Sequence, residues 1–228
     1  MLVTINRNVH QPVWSVHMAS TSEPVIAATR RSRAKSDRRS QLIAAAERLV
    51  AERGYLAVRL EDIGAAAGVS GPAIYRHFPN KEAMLVELLV GISTRLLAGA
   101  TDVVTHADDP RSALDGLIDF HLDFALGESD LIRIQDRDLP HLPPTAKRQV
   151  RKAQRQYVEI WVDVLRQLHP SLAEDDARMM AHATFGLLNS TPHSVKPNAT
   201  KKAEVNERAI LRAMTVAALT SATGTVSG

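Results

Sequence analysis

The sequence predicts an all-α fold in two parts. Apolar residues recur at helical spacing through most of the chain, and no segment alternates as a half-buried strand would. Between them lies one stretch, Leu60 to Phe78, that reads as two short helices joined by a tight turn.

Composition sets limits on both parts. With 228 residues, 45% of them hydrophobic and 23% charged, the chain is long enough for one sizeable core or two small ones. It contains no cysteine, so disulfides and thiolate metal sites are excluded, which suits a reducing cytoplasm. Its richest apolar run, Ala83 to Val90, is broken by Glu87, so no uninterrupted run reaches membrane-spanning length. The net charge of +3 is segregated. Arg30 to Lys81 carries eleven Lys or Arg against five Asp or Glu, while Glu82 to Gly228 carries sixteen against nineteen. A polyanion is therefore the expected partner of the N-terminal part.

Residues 1–35 form an expected disordered extension. It shows little charge and no period until the basic arm Arg30-Arg31-Ser32-Arg33-Ala34-Lys35, and it lacks the continuous apolar core of a secretory signal. Met18 is an alternative start. The first helix is expected from Ser36 or Asp37 to Arg53, with Leu42, Ala46, Leu49 and Val50 as its buried stripe and Gly54 as its stop.

Within the central stretch, Leu60, Ile63 and Ala67 lie on one face. Gly68 supplies a positive φ, and Ser70 is placed to cap a second helix whose first turn holds Pro72. Such a helix-turn-helix presents its second helix to a DNA major groove. The residues expected nearest the groove are Ser70, Gly71, Pro72, Ala73, Tyr75, Arg76 and His77. Arg76 is the side chain suited to a base edge, and the small residues allow close backbone approach.

Read with its flanks, the stretch resembles the DNA-binding domain of TetR-family bacterial regulators, over roughly residues 40 to 85. The resemblance rests on Ile43, Ala45, Ala46, Leu49, Gly54-Tyr55, Asp62-Ile63, Ala67-Gly68-Val69-Ser70, Ile74-Tyr75, His77-Phe78 and Lys81-Glu82. It implies that Tyr75, His77 and Lys81 approach phosphates of a double-stranded operator. Two residues depart from the pattern. Arg59 stands where the family has a capping Ser or Thr, and an additional phosphate clamp is its expected role. Gly64 replaces an Ala and is expected to loosen its helix by about 1 kcal/mol.

A long helix then runs from Lys81 to about Val104, shared between the DNA-binding domain (36–82) and a helical effector-binding and dimerisation domain (83–222). Residues 223–228 form a tail. Arg111 to Leu126 is apolar nearly all round and should be a buried central helix, followed by a shorter helix from Asp130 to Asp138. Thr145 to His169 is amphipathic, with Tyr157 and Trp161 on its apolar side. Helices from Pro170 and from Lys202 to Ser221 are rich in small and apolar residues. By the resemblance they form a four-helix homodimer interface, and two reading helices need half-sites about 34–36 Å apart.

The resemblance also implies a small-molecule cavity in the body. Its candidate lining is Phe120, His121, Phe124, Trp161 and Phe185, with Gln135 or Asn189 as polar contacts, which suits a hydrophobic or amphipathic effector. No cofactor is implied. Nine histidines without an H-x3-H pair give no local metal signature, and no P-loop, dinucleotide fingerprint or nucleophile elbow is present. The expected function is a cytoplasmic, ligand-responsive repressor and not an enzyme. The alternative is a helical binder of hydrophobic ligands whose helix-turn-helix no longer binds DNA.

Overall fold

A computed structural model describes residues 23–190 and 201–221, with side chains from 33 and from 205 respectively. The chain divides into two units, Met1–Arg39 and Ser40–Gly228. The described elements are all helical: α1 (Glu23–Arg53), α2 (Leu60–Ala66), α3 (Gly71–Ile74), α4 (Lys81–His106), α5 (Pro110–Gly127), α6 (Ser129–Asp138), a 3-10 turn (Leu139–His141), α7 (Pro144–Leu168), α8 (Glu174–Leu188) and α9 (Lys201–Thr220).

α1 begins at Glu23, well before the expected Ser36, so the basic run Arg30 to Lys35 is helical where disorder was expected. Pro24 sits in its first turn, where a missing N–H costs nothing, and no glycine or further proline interrupts the run to Arg53. The expectations for residues 1–22, Met18 included, and for 223–228 lie outside the described residues.

Helix ends follow side-chain chemistry. Asn80 Oδ1 accepts from Ala83 N at 2.7 Å to start α4. Asp109 Oδ1 accepts from Arg111 N and Ser112 N, both at 2.8 Å, while Ser112 Oγ accepts from Asp109 N at 3.1 Å, and Pro110 opens α5. α8 starts at Glu174 rather than near Pro170, because His169 O accepts from Leu172 N in a turn and three acidic residues then fill the first helical turn.

Two hydrophobic cores result. One joins Leu42, Ala46, Leu49 and Val50 of α1 to Ile63, Ile74 and Phe78, and to Met84 through Ile92 of α4; it also takes in Leu131 and Ile134 of α6 and Val150 of α7. The other joins Leu114, Leu117, Ile118 and Leu122 of α5 to Trp161 and Leu165 of α7, Ala177 and Leu188 of α8, and Leu211 and Leu219 of α9. Packing therefore runs straight across position 82/83, and the helix-turn-helix shares its core with the body. By length and composition alone, α4 could cross a membrane, whereas sequence reading found no apolar run long enough. Here Met84, Leu85, Leu88, Leu89 and Ile92 bury its apolar face in protein.

The central helix α5 is less uniformly apolar than expected. Asp115, Asp119 and Asp123 form a stripe on it, met by two arginines of α9. Arg208 pairs with Asp119 at 3.1 Å and Asp123 at 2.5 Å; Arg212 pairs with Asp115 at 3.2 Å and Asp119 at 3.1 Å. This ladder sets the rotation of α9. Val205, Ile210 and Met214 of α9 and Met179 of α8 remain exposed in the single chain.

Candidate functional site

The α2–α3 turn closes on Gly68, whose φ of +66° is left-handed. Val69 N donates back to Gly64 O at 2.8 Å. A Cβ on Gly64 would lie 3.2 Å from Val69 O and 3.4 Å from Ile74 Cβ. The turn and α3 thus pack closely on Gly64, and a methyl group there would make Val69 O give way by a few tenths of an ångström. Arg59, having no acceptor, cannot cap α2 with its side chain. The reverse half of a capping box remains, with Asp62 Oδ2 accepting from Arg59 N at 3.1 Å.

α3 is only one turn long. Ser70 is in the N-cap position, but its side chain makes no capping bond, so the expected cap is corrected: only the Ser70 carbonyl serves, accepting from Ala73 N at 2.8 Å. The helical path continues as turns, His77 N donating to Ile74 O at 2.8 Å and Phe78 N to the same oxygen at 3.0 Å. Ile74 and Phe78 are fully buried, which turns Ser70, Pro72, Tyr75 and Arg76 outward; Gly71, Ala73 and His77 are half-buried.

Tyr75 and Lys81 have internal partners. The Tyr75 hydroxyl donates to Glu61 Oε1, a bond that raises the phenol's pKa and lowers that of the carboxyl. The Lys81 ammonium donates to Tyr55 O at 2.9 Å, Val58 O at 3.0 Å and Leu56 O at 3.3 Å, and lies 4.5 Å from the Tyr55 ring centroid. All three of its protons are directed at the α1–α2 loop. Lys81, expected at a phosphate, thus serves in the free chain as a staple that shapes this loop. An open groove of about 510 Å³ brings Arg59, Glu61, Tyr75 and Lys81 together beside the exposed Leu56.

In the body, four of the rings expected to line a cavity, His121, Phe124, Trp161 and Phe185, pack together with Tyr157. The His121 ring centroid lies 5.2 Å from that of Phe185, 5.8 Å from Tyr157, 6.1 Å from Phe124 and 6.2 Å from Trp161. His121 Nε2 is 3.0 Å from Asn189 Oδ1, and its Nδ1 is 2.8 Å from the Tyr157 hydroxyl. With the amide oriented so, Nε2 carries the proton and donates to Asn189, while Nδ1 accepts from Tyr157. Burial holds the imidazole neutral, its pKa brought down to about 4, and pushes the Tyr157 phenol up. Trp161 Nε1 is buried with no hydrogen bond of ordinary geometry, although it is near enough to Tyr157 to favour the phenolate slightly.

Phe120 stands apart from this cluster. It lies against α4, where a Cβ on Gly99 would come within 2.2 Å of its Cζ. With Phe124, Ile92 and Leu96 it floors a cleft of about 310 Å³, rimmed by Arg95, Asp123 and Glu128. Phe124 is common to both, one wall of the cleft and one edge of the ring cluster. Gln135, on α6, belongs to neither. Tyr157 joins the site although sequence reading placed it only on an apolar stripe; a Tyr on that stripe, whose hydroxyl needs a buried partner, was the available signal.

Comparison with known proteins places these features. Residues 42–88 match the description "Bacterial regulatory proteins, tetR family", and residues 107–215 match "Tetracyclin repressor-like, C-terminal domain". The chain is 34% identical over 142 residues to the transcriptional regulator CymR of Pseudomonas putida, covering 60% of this chain and 68% of that one. It is 30% identical over 132 residues to the transcriptional repressor KstR2 of Rhodococcus jostii, covering 58% of this chain and 65% of that one. The chain thus spans just under two thirds of that repressor's length. The structure of the ketosteroid transcriptional regulator KstR2 of Mycobacterium tuberculosis superposes with a TM-score of 0.66 at 25% identity, over 78% of this chain and 94% of the other. The chain belongs to the tetR family of bacterial regulatory proteins.

Proposed function

We propose that the protein is a homodimeric, ligand-responsive transcriptional repressor of the cytoplasm, with no catalytic activity of its own. The observation that carries this reading is the α2–α3 unit. Its buried Ile63, Ile74 and Phe78 hold Ser70, Pro72, Tyr75 and Arg76 outward along the short, small-residue α3 and the residues that flank it, at the basic end of the chain. Arg59, Tyr75, His77 and Lys81 are the proposed phosphate contacts, Arg76 the proposed base contact, and Gly71 and Ala73 allow close approach. The exposed Met179, Val205, Ile210 and Met214 support α8 and α9 as the dimer contact. The repressor name of the R. jostii relative supports the sign of regulation, and the ketosteroid description of the M. tuberculosis relative fits an apolar effector. That effector would act at the cluster of His121, Phe124, Trp161 and Phe185 and at the adjoining Phe120 cleft.

Internal engagement of Tyr75 and Lys81 favours a second reading, a helical ligand-binder that has lost DNA recognition. Fluorescence anisotropy separates the two. DNA from just upstream of the coding region is titrated against a scrambled duplex at several salt concentrations. Specific binding with a steep salt dependence is expected. If neither this DNA nor a genome-wide selection yields a preferred sequence, the repressor reading fails.

A further inference from the structure

The cleft between α4 and α5 differs in charge from what an apolar effector alone requires. Its floor is Ile92, Leu96, Phe120 and Phe124, but its rim is charged: two carboxylates, Glu128 and Asp123, are each held by an arginine, Arg95 and Arg208 respectively. Arg95 grips Glu128 through Nη2–Oε2 at 2.7 Å and Nη1–Oε1 at 3.5 Å. Its side chain is nevertheless 63% exposed, and that of Glu128 38%. An ion pair so open to water holds weakly and is readily exchanged. Asp123 is engaged by Arg208 at 2.5 Å and is itself 72% exposed.

Three further features favour a cation at this corner. Phe124 through Gly127 are the last turn of α5, where carbonyl oxygens accumulate partial negative charge. Glu47 of α1 feels both Glu128 and Asp130, and its carboxyl is raised first by burial and then by Glu128, against the opposing pull of Arg95. The two Phe rings offer faces to which a cation is attracted. Gly99 maintains the arrangement, since any side chain there would push Phe120 off the α4 surface.

We propose that this cleft is the head-group site for an amphipathic organic cation, an alkyl- or arylammonium. The apolar part would lie on Phe120, Phe124, Leu96 and Ile92, while the ammonium takes the place of the Arg95 guanidinium on Glu128, with Asp123 on the same rim. This rests on the effector reading above and adds the ligand's charge to it. Displaced, Arg95 swings into water, and Phe124 transmits occupancy to the ring it shares with His121 at 6.1 Å.

The test is calorimetric titration of the full chain, without DNA, with three probes of equal chain length below their micellar range: dodecyltrimethylammonium, dodecanoate and dodecyl maltoside. The cation is expected to bind about tenfold tighter than either of the others, and Glu128→Gln to remove most of that preference. Glu128 makes no side-chain cap to α6, so this substitution spares the helix start. Equal binding of all three probes, preference for dodecanoate, or an undiminished preference in Glu128→Gln would overturn the proposal. Operator binding in the presence of the cation is a separate readout. A cation held in the cleft that leaves DNA affinity unchanged would sink its role as effector while the site stands.

Discussion

Arg137 Nη2, in α6, donates to the carbonyl oxygen of Val50, in the last turn of α1, at 2.5 Å, and its Nη1 reaches Ala51 O at 3.5 Å. The guanidinium therefore acts as a C-cap for α1 supplied from another helix, beside Gly54 with its φ of +85°. It is aimed by Asp138, 2% exposed, which accepts from Nη2 at 2.9 Å and from Nε at 3.1 Å. Arg137→Ala would leave Asp138 buried without its cation and α1 without its cap, at a cost of about 2 kcal/mol. Urea unfolding should show a lowered midpoint, with Arg137→Lys recovering part of it. A midpoint unchanged in Arg137→Ala would show that the cap is not stabilising.

Lys81 gives a prediction that separates its observed role from the one its position implied. If its ammonium holds the carbonyls of residues 55, 56 and 58, Lys81→Ala lowers stability by about 1–3 kcal/mol, because three oxygens lose a charged donor. The proposed phosphate contact should in addition reduce the salt slope of DNA binding, normalised to folded protein, by about one counterion. An unchanged slope would leave Lys81 as a staple alone.

Glu61 places a carboxylate beside Tyr75, on the surface proposed to face DNA. Glu61→Gln removes that charge while keeping an acceptor for the phenol. Affinity for any duplex should then rise by about threefold to tenfold at low salt, an effect that fades as salt is added. Tyr75→Ala should weaken specific and scrambled DNA alike, with the dimer intact by sedimentation. An unchanged affinity in Tyr75→Ala would remove Tyr75 from the phosphate contacts.

His121 makes stability depend on pH. Its pKa is near 4 in the folded chain against about 6.5 when unfolded, so the unfolded state takes up its proton first as pH falls. The contribution is fully present above about pH 6.5 and is lost progressively toward pH 4, amounting to up to roughly 3 kcal/mol. Thermal denaturation between pH 7 and 5 should show this fall, and His121→Gln should flatten it. An identical slope in the variant would show that other groups carry the acid sensitivity.

Local chemistry was the most legible part of the sequence. The stops at Gly54 and Gly68, the buried stripe of α1 and the outward face of α3 each depend on residues within one or two turns. What the sequence hid were partners far along the chain. The carbonyl partners of Lys81 were not legible, because they are main-chain oxygens more than twenty residues away, and backbone carbonyls leave no mark on composition. The stripe of Asp115, Asp119 and Asp123 has a visible helical spacing, yet nothing local says that Arg208 and Arg212 answer it. Phe120 and His121 are neighbours in sequence, but successive residues on a helix point about 100° apart, so one meets α4 and the other the buried ring cluster. The early start of α1 shows the opposite limit, a charged, low-period stretch whose helicity comes from the absence of any breaker.

The arginine ladder between α5 and α9 also governs how ionic strength should be used as a probe. Arg208 and Arg212 meet their aspartates with about a third or more of each side chain in water, so added salt weakens the hold on α9 as well as any grip on phosphate. If α9 carries the dimer contact, a salt titration of DNA binding reports two equilibria at once. Its slope overstates the number of phosphates neutralised unless the dimer is first shown to persist, or is covalently tethered, across the same range.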